Sequence, residues 1–487
     1  MKAIVFFSRC ELVHLYGKLS KQLSQSHKVI HLAYSKLELD ILEKQYDVKN
    51  VISFEKNIKN IYENKSYLEI DIQEIDNILI EQSGGRFNLN GALQYDRSFQ
   101  YLNYLTNLQL SQIYYKFWSD FFKNHEVDYI IHEPTTLFFN HIAAVICKLN
   151  DAKYITFIQV YGESDYNFAI VEGDHGGFSE MNNINYNKNE FDLNRIKVFL
   201  NKFRLDSKTF FNINKKNKKN LLQKFLFSFN STVKIFLKYF NSRIKLKTKK
   251  YSILDHLELF HLKSIKLVQE VLNHYYYYYG LNYDEPLSAK DELYYYYPLH
   301  LEPEAVVLYW GDGLYKNQVK LIENIAAQLP PNNFLYVKDH PHAGSYRDYR
   351  DYKRIQLIPN VKLIQPKKEG KKIILNSVGV ITINGTSGFE ALLLNKQVYT
   401  FGNCFFNKCQ RVNHIKNIKD LRSILYLNKD IIYKDDDELY NFINLYLNYV
   451  QSGFTSYFTN RIKMMGINEI DNTKLVAKGL QDYFNKF

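Results

Sequence analysis

The sequence predicts an α/β protein made of two doubly wound, Rossmann-like halves, and three observations carry that prediction. Residues 2–54 alternate strand, helix and strand: KAIVFF at 2–7, helical spacing over 12–24, HKVIHLAY at 27–34 and DVKNVISF at 47–54. Such alternation argues for a parallel sheet covered by helices. The same rhythm restarts near residue 290 and runs to about 402. Finally, 487 residues exceed one ordinary domain of roughly 100–200, and 46% hydrophobic with 23% charged residues supplies a sizeable core.

Between these halves the elements read in order as follows. Residues 60–125 are mostly helical, with Tyr101, Tyr104, Leu105 and Leu108 at helical spacing. VDYIIHE (127–133) is a short buried strand, 138–149 a helix and AKYITFIQV (152–160) a strand. The segment 161–177 reads as a polar, glycine-rich loop holding Glu163, Asp165, Glu172, Asp174 and His175. From about 185 to 275 strand signals vanish and amphipathic basic helices are expected, with Leu222, Phe225, Leu226, Phe229, Ile235, Phe236, Tyr239 and Phe240 in register. Then follow a strand at 292–301, a short strand or loop start at 306–310, a helix at 317–329 and a strand within 330–341. Strands at 361–364 and 373–383 lead to a turn at 385–388, with a helix opening at about Phe389. A strand at 397–402 precedes a mainly helical remainder. The expected organisation is 1–185 with a helical insertion at 60–125, a basic insertion at 186–290, a second Rossmann-like domain at 291–415, and terminal helices at 416–487. Two such halves suggest a GT-B-like arrangement facing a central cleft. Open α/β sheets bind ligands at the carboxyl ends of their strands.

Charge and cysteine usage narrow the class. Four cysteines make neither a disulfide framework nor a zinc site. The apolar run Ala3–Phe7 is too short for a signal peptide, and no window reaches the roughly 18–20 apolar residues of a membrane span. The net charge of +12 is not spread evenly. Residues 204–250 hold 14 Lys and Arg against the single acid Asp206, so the rest of the chain is near neutral. An amphipathic helix of this kind suits an anionic membrane surface. A solvated basic hairpin packed through its Phe/Leu stripe is the alternative. Nucleic acid is disfavoured as a partner, because no recognition motif accompanies the charge.

Four motifs follow strand ends. In VKDHPHAG, the His340-Pro341 pair sits on a rigid turn, since proline fixes its own φ and restricts the residue before it. His340 can then bond a phosphate or sugar oxygen, with Lys338 adding charge. In ITINGTSGFEALLLN, a strand ends and Asn384-Gly385-Thr386-Ser387-Gly388 opens a helix whose free N–H groups bind phosphate. Gly385 and Gly388 allow close approach, Thr386 and Ser387 offer hydroxyls, and Glu390 either bonds ribose hydroxyls or caps the helix. In YYPLHLEPEAVVLYWGDG, His300, Glu302 and Glu304 alternate, and Asp312 lies in a Gly-Asp-Gly turn. In DYIIHEPTTLFFNH, Glu133 follows a buried strand as a candidate base or nucleophile, or as an N-cap carboxylate. Neither GxxxxGK[ST] nor GxGxxG occurs, which argues against a Walker ATPase or a nicotinamide enzyme.

PLHLEPE, the strand ending in KDHPH, and TINGTSGFEALLLNKQVYTFG together resemble the capsule polysaccharide biosynthesis family, which includes β-Kdo transferases. The resemblance is good over 295–410 and weaker over 127–175. In the family's familiar form Gln precedes Pro-Glu in the first motif; Glu302 stands there in this sequence. The resemblance implies a GT-B-like fold and a CMP-activated donor, Kdo or another nonulosonic acid; no metal or other cofactor is expected, since protein cations can do the work. His340 would contact the CMP phosphate, Thr386 and Ser387 would hold it, and Glu390 would lie nearer the nucleoside.

The expected function is therefore transfer of a sugar from a CMP-sugar to a lipid-linked or growing surface glycan. The expected location is the cytoplasm, peripheral at the inner face of a bacterial inner membrane. Two rivals stand beside it: a CDP-glycerol- or CDP-ribitol-type polyol-phosphate transferase, and a non-catalytic polysaccharide assembly protein.

Overall fold

A computed structural model describes residues 1–173, 178, 181, 191–206, 221–286, 292–311, 313–340, 343, 347–456 and 459–486. The chain forms two compact units. One comprises Met1–Phe191 with Ile443–Phe487, the other Asp192–Phe442.

The first unit is built on β1 (Ala3–Ser8), β2 (Lys28–Ala33), β3 (Ile52–Ser53), β4 (Tyr129–His132), β5 (Lys153–Val160) and β6 (Asn167–Glu172). In the second unit lie β7 (Leu293–Pro298), β8 (Asn333–Lys338), β9 (Val361–Ile364), β10 (Gly379–Thr382), β11 (Gln397–Thr400) and β12 (Val412–His414). The last strand, β13 (Gln451–Ser452), returns to the first sheet. The sheet orders are β13-β6-β5-β4-β1-β2-β3 and β12-β11-β10-β7-β8-β9. Each therefore reverses direction beside its first strand, at β1/β4 and at β7/β10. The second sheet is parallel throughout, whereas β5–β6 and β6–β13 pair antiparallel. At a reversal the crossover helices leave to opposite faces, which opens a crevice above the strand ends.

Each sheet has its own core. In the first unit Ile4, Phe6, Ile131, Ile155 and Ile170 pack with Val476, Leu480 and Phe484 of the helix Glu469–Lys486. In the second, Tyr295, Tyr297, Leu335, Val337 and Ile381 pack with Ile322 and Ile325 of the helix Gln318–Gln328. The YYYY run of β7 is fully buried: Tyr294 stacks on Tyr336 at 3.8 Å between ring centroids and donates to the Ile373 carbonyl at 2.8 Å.

Several expected elements differ. The third strand shrinks to two residues. The loop expected at 161–177 contains β6, because Asn167–Val171 is a short apolar run that pairs with β5 and is wholly buried. Asp174 and His175 lie outside the described residues. The segment 306–310 enters a single helical turn, Ala305–Leu308, whose Val307 and Leu308 N–H groups donate to the Glu304 carbonyl. The strand expected over 373–383 is confined to β10, because its first residues belong to the helix Gly370–Asn376, which buries Lys371, Ile373 and Ile374. Short apolar runs of this length do not distinguish strand from helix by periodicity. In the helix Tyr104–Asn124, Tyr104 and Leu105 are exposed, and the buried face begins at Leu110.

A candidate donor site at the β7/β10 crevice

The site is assembled from the carboxyl ends of β7, β8 and β10. Past β7 the chain runs on as Leu299-His300, and past β10 it enters Asn384-Gly385 and the helix Thr386–Leu393. The helix begins at Thr386 rather than Phe389, which makes Gly385 its N-cap. Gly385 offers no side chain to cap this end, and although the Gly388 N–H turns back to the Gly385 carbonyl at 3.0 Å, the N–H groups before it can meet an outside acceptor.

Gly385 is fixed by the histidine beside it. A Cβ there would lie 2.9 Å from His300 Cε1 and 3.2 Å from Thr382 Oγ1. His300 Nε2 in turn lies 3.3 Å from Thr382 Oγ1. Burial, with Arg347 and His340 adding positive charge nearby, pushes the His300 pKa down to about 3. The imidazole is neutral at physiological pH and acts there by hydrogen bonding rather than as a cation. His340 is half-buried at the end of β8, and its N–H donates to Asp339 Oδ1 at 2.7 Å.

Beneath these groups lies a buried polar frame centred on Arg347, a residue not singled out in the sequence. Arg347 Nε donates to Asp339 Oδ2 at 3.1 Å, its Nη2 donates to the His300 carbonyl at 2.7 Å, and its Nη1 faces Glu302 Oε2 at 3.0 Å. Burial alone would lower the Arg347 pKa, but Asp339 and Glu302 overcome it and hold the guanidinium charged. Tyr352 adds a hydroxyl bond to Asp339. Gln318 accepts from the His300 N–H at 2.8 Å and donates to the His300 carbonyl at 3.0 Å and to Glu302 Oε1 at 2.5 Å. One arginine and one glutamine thus clamp the β7 loop through the backbone of His300. Asp339 and Glu302 lie within motifs quoted from the sequence, but the sequence signal for Arg347 is only that it follows KDHPH closely.

The remaining sequence-predicted residues fall in distinct places. Thr386 is exposed at the helix start. Ser387 hydrogen-bonds Tyr296, whose pKa is raised by burial and by Glu390 and Asp339. Glu390 is buried, and its charge acts on both Tyr296 and Lys338. Lys338 turns inward and donates to the Pro366 carbonyl at 3.1 Å. Burial pushes its pKa down to about 8 against the pull of Asp339 and Glu390. Gly388 packs against a ring: a Cβ there would lie 2.8 Å from Phe406 Cζ. Glu302 serves Arg347 and Gln318, and Glu304 supplies the carbonyl that starts the helix Ala305–Leu308. Asp312 and Pro341 lie outside the described residues. Among the described residues no group of three His, Cys, Asp or Glu is placed to hold a metal ion.

Glu133 belongs to the first unit, at the β1/β4 reversal. Its Oε1 pairs with Arg9 Nη1 at 2.5 Å, and Tyr154 donates to its carbonyl at 2.7 Å. Arg9 also lies over the rings of Tyr34 and Phe139. Neighbouring His132 is kept neutral, its pKa pushed down to about 4 by burial against the pull of Glu133.

Comparison with known proteins gives a partial family match and weak structural likenesses. A search of curated proteins finds no significant match. Among solved structures, the β-Kdo 2,4 transferase of Thermosulfurimonas dismutans KpsC is 13% identical over 67% of this chain and 82% of its own, with a TM-score of 0.33. The β-Kdo 2,7 transferase of the same KpsC is 10% identical over 93% of each chain, with a TM-score of 0.36. A Methanocaldococcus jannaschii UDP-GlcNAc 2-epimerase is 10% identical over 92% of this chain and 100% of its own, with a TM-score of 0.29. The profile of the capsule polysaccharide biosynthesis proteins matches residues 194–409, a span that contains His300, Arg347, His340 and the Gly385 helix start. Over those residues, which are less than half of the chain, the sequence is similar to the capsule polysaccharide biosynthesis proteins.

Proposed function

We propose that the protein is a glycosyltransferase of capsular or surface polysaccharide synthesis. It would transfer Kdo or a related nonulosonic acid from a CMP-sugar to a lipid-linked or growing glycan. The observation that carries this reading is the uncapped helix start at Gly385, held beside neutral His300 at the β7/β10 reversal within the family-matching segment. A phosphate seated there meets backbone N–H groups and the positive end of the helix dipole. The Thr386 hydroxyl stands at the same end, and His340 adds a second imidazole close enough to act on His300.

In the reaction the bond between the anomeric carbon of the sugar and the CMP phosphate oxygen breaks, and the acceptor oxygen forms the new bond. The acceptor proton passes to a base, and charge builds on the departing CMP. Donors already oriented at the helix start stabilise that charge without reorganising. Arg347 and Gln318 serve as positioning residues, since they act through His300.

The test is CMP release from CMP-Kdo in the presence of a lipid-linked glycan acceptor. Combined His340→Ala and Ser387→Ala substitution is expected to lower kcat/KM by about 10²-fold or more. Unchanged turnover in that variant would remove the site assignment. Stabilisation by CDP-glycerol and not by CMP would move the assignment to a polyol-phosphate transferase.

A further inference from the structure

The helix Leu221–Thr248 carries three different faces over its described side chains. At about 100° per residue, Thr232, Ile235, Tyr239, Ser242 and Leu246 fall on one side. Together with Ser231 and Arg243 beside them, these are the half-buried and buried positions among its described side chains, and the helices His256–Lys263 and Leu267–Tyr275 pack against the helix. Phe229, Val233, Phe236, Leu237, Phe240 and Ile244 form a second stripe, and all six are exposed, Leu237 to 64% and Phe229 and Ile244 to 59%. Lys234, Lys238 and Lys245 fall on the third side, flanking that stripe, and Lys247 lies at its end.

A solvated basic hairpin predicts the opposite arrangement, with the Phe/Leu stripe turned inward. Here the inward face is a different set of residues, and six large apolar side chains are left in water on one stripe. Exposed apolar surface of that continuity marks an interaction site. Its charge selects the partner. Residues 221–250 hold eight Lys and Arg and no acidic residue. Ion pairing engages Lys238 with Glu270 and Lys249 with Glu258, which leaves the other lysines uncompensated by those contacts. An apolar stripe bordered by cations and free of carboxylates matches the boundary between acyl chains and anionic headgroups. Among the described residues no helix is long and apolar enough to cross a membrane, so such a helix would lie in the interface plane.

We infer that the helix Leu221–Thr248 docks the protein on an anionic lipid surface, inserting Phe229, Val233, Phe236, Leu237, Phe240 and Ile244 and placing Lys234, Lys245 and Lys247 at the headgroups. This goes beyond the donor-site reading and does not depend on it.

The experiment is co-sedimentation of the full chain with vesicles. One set is phosphatidylcholine alone; the other contains about one-third phosphatidylglycerol, enough to give a negative surface potential. Wild type is expected to bind the anionic vesicles at least about tenfold more tightly, with the difference removed by salt. Leu237→Gln with Phe240→Gln is expected to weaken that binding about tenfold or more, and Lys234→Gln, Lys245→Gln and Lys247→Gln together to bring it to the neutral-vesicle level. These positions are solvent-exposed, so circular dichroism and the thermal response to CMP should match wild type. Equal binding to both vesicle types would overturn the inference, as would binding unchanged by either variant. So would self-association of the wild type that the Leu237/Phe240 variant abolishes while vesicle binding is absent, since the stripe would then be a contact between copies of the chain.

Discussion

At the residue scale, His300 and Arg347 decide the state of the site, and each carries a prediction. The pKa of His300 is drawn from 6.5 to about 3 on folding. As pH falls through 6.5 the unfolded chain takes up the proton first. The stability contributed by neutral His300 is therefore complete above that pH and is lost on the way down toward 3. His31 and His132, both pushed to about 4 mainly by burial, add to the same acid limb. Replacing His300 with Gln should flatten the limb by up to about 1.4 kcal/mol per pH unit, read as the difference between urea titrations at about pH 7 and about pH 5. An unchanged slope would mean that His300 is hydrated in solution. For Arg347, removal leaves buried Asp339 without its cation. Arg347→Ala should cost about 3–5 kcal/mol, and Arg347→Lys should recover only part of it, because an ammonium lacks the fork that reaches three acceptors. A loss below about 1 kcal/mol in urea titrations would place the frame in water.

The helix Thr386–Leu393 poses the question at the scale of an element, because its two glycines do different work. At Gly385 an added methyl meets His300, and at Gly388 it meets Phe406. Gly388→Ala should cost about 1–3 kcal/mol by overpacking and leave CMP stabilisation intact in the refolded fraction. Gly385→Ala should instead displace the imidazole and remove CMP stabilisation, with a smaller loss in thermal unfolding temperature. Equal effects of the two variants on nucleotide response would contradict this division. The turn before the helix was readable in the sequence, since Gly-Thr-Ser-Gly after an apolar strand signals a strand-to-helix junction. The one-turn helix Ala305–Leu308 and the strand Asn167–Glu172 were not. Both are short apolar runs that periodicity leaves open between strand and helix; pairing with β5 makes one a strand, and the other closes on its own Glu304 carbonyl as a single turn.

Across the whole molecule, the two units have parallel designs with reversals at β1/β4 and β7/β10. The second unit holds the proposed nucleotide site and the first holds the Arg9–Glu133 pair. A ligand that binds only the folded state stabilises it by about 2.7 kcal/mol at a hundred times its Kd. CMP should therefore raise the unfolding temperature, while UMP at the same concentration should raise it less. A larger response to UMP would exclude a cytidine donor. Glu133→Gln would leave Arg9 without its charged partner, so turnover and stability need to be measured together. Loss of turnover with the unfolding temperature retained assigns the carboxylate to chemistry, and parallel loss of both assigns it to the ion pair.

The order of amino acids alone specifies the two α/β halves, because strand and helix alternation is written in local apolar periodicity. It also determined the Gly385 junction and the concentration of positive charge in one segment. Only the tertiary structure decided what those residues face. Lys338, a candidate phosphate cation in the sequence, turns to the Pro366 carbonyl, and Arg347, unremarkable in the sequence, becomes the buried centre of the frame. On the basic helix, periodicity shows that apolar residues recur but not which stripe is covered. Packing leaves Ile235 and Tyr239 half-buried and Phe236 and Phe240 in water. The physical reason is common to both cases: periodicity is a property of one element, whereas a partner belongs to another element distant in sequence, and only packing brings the two together.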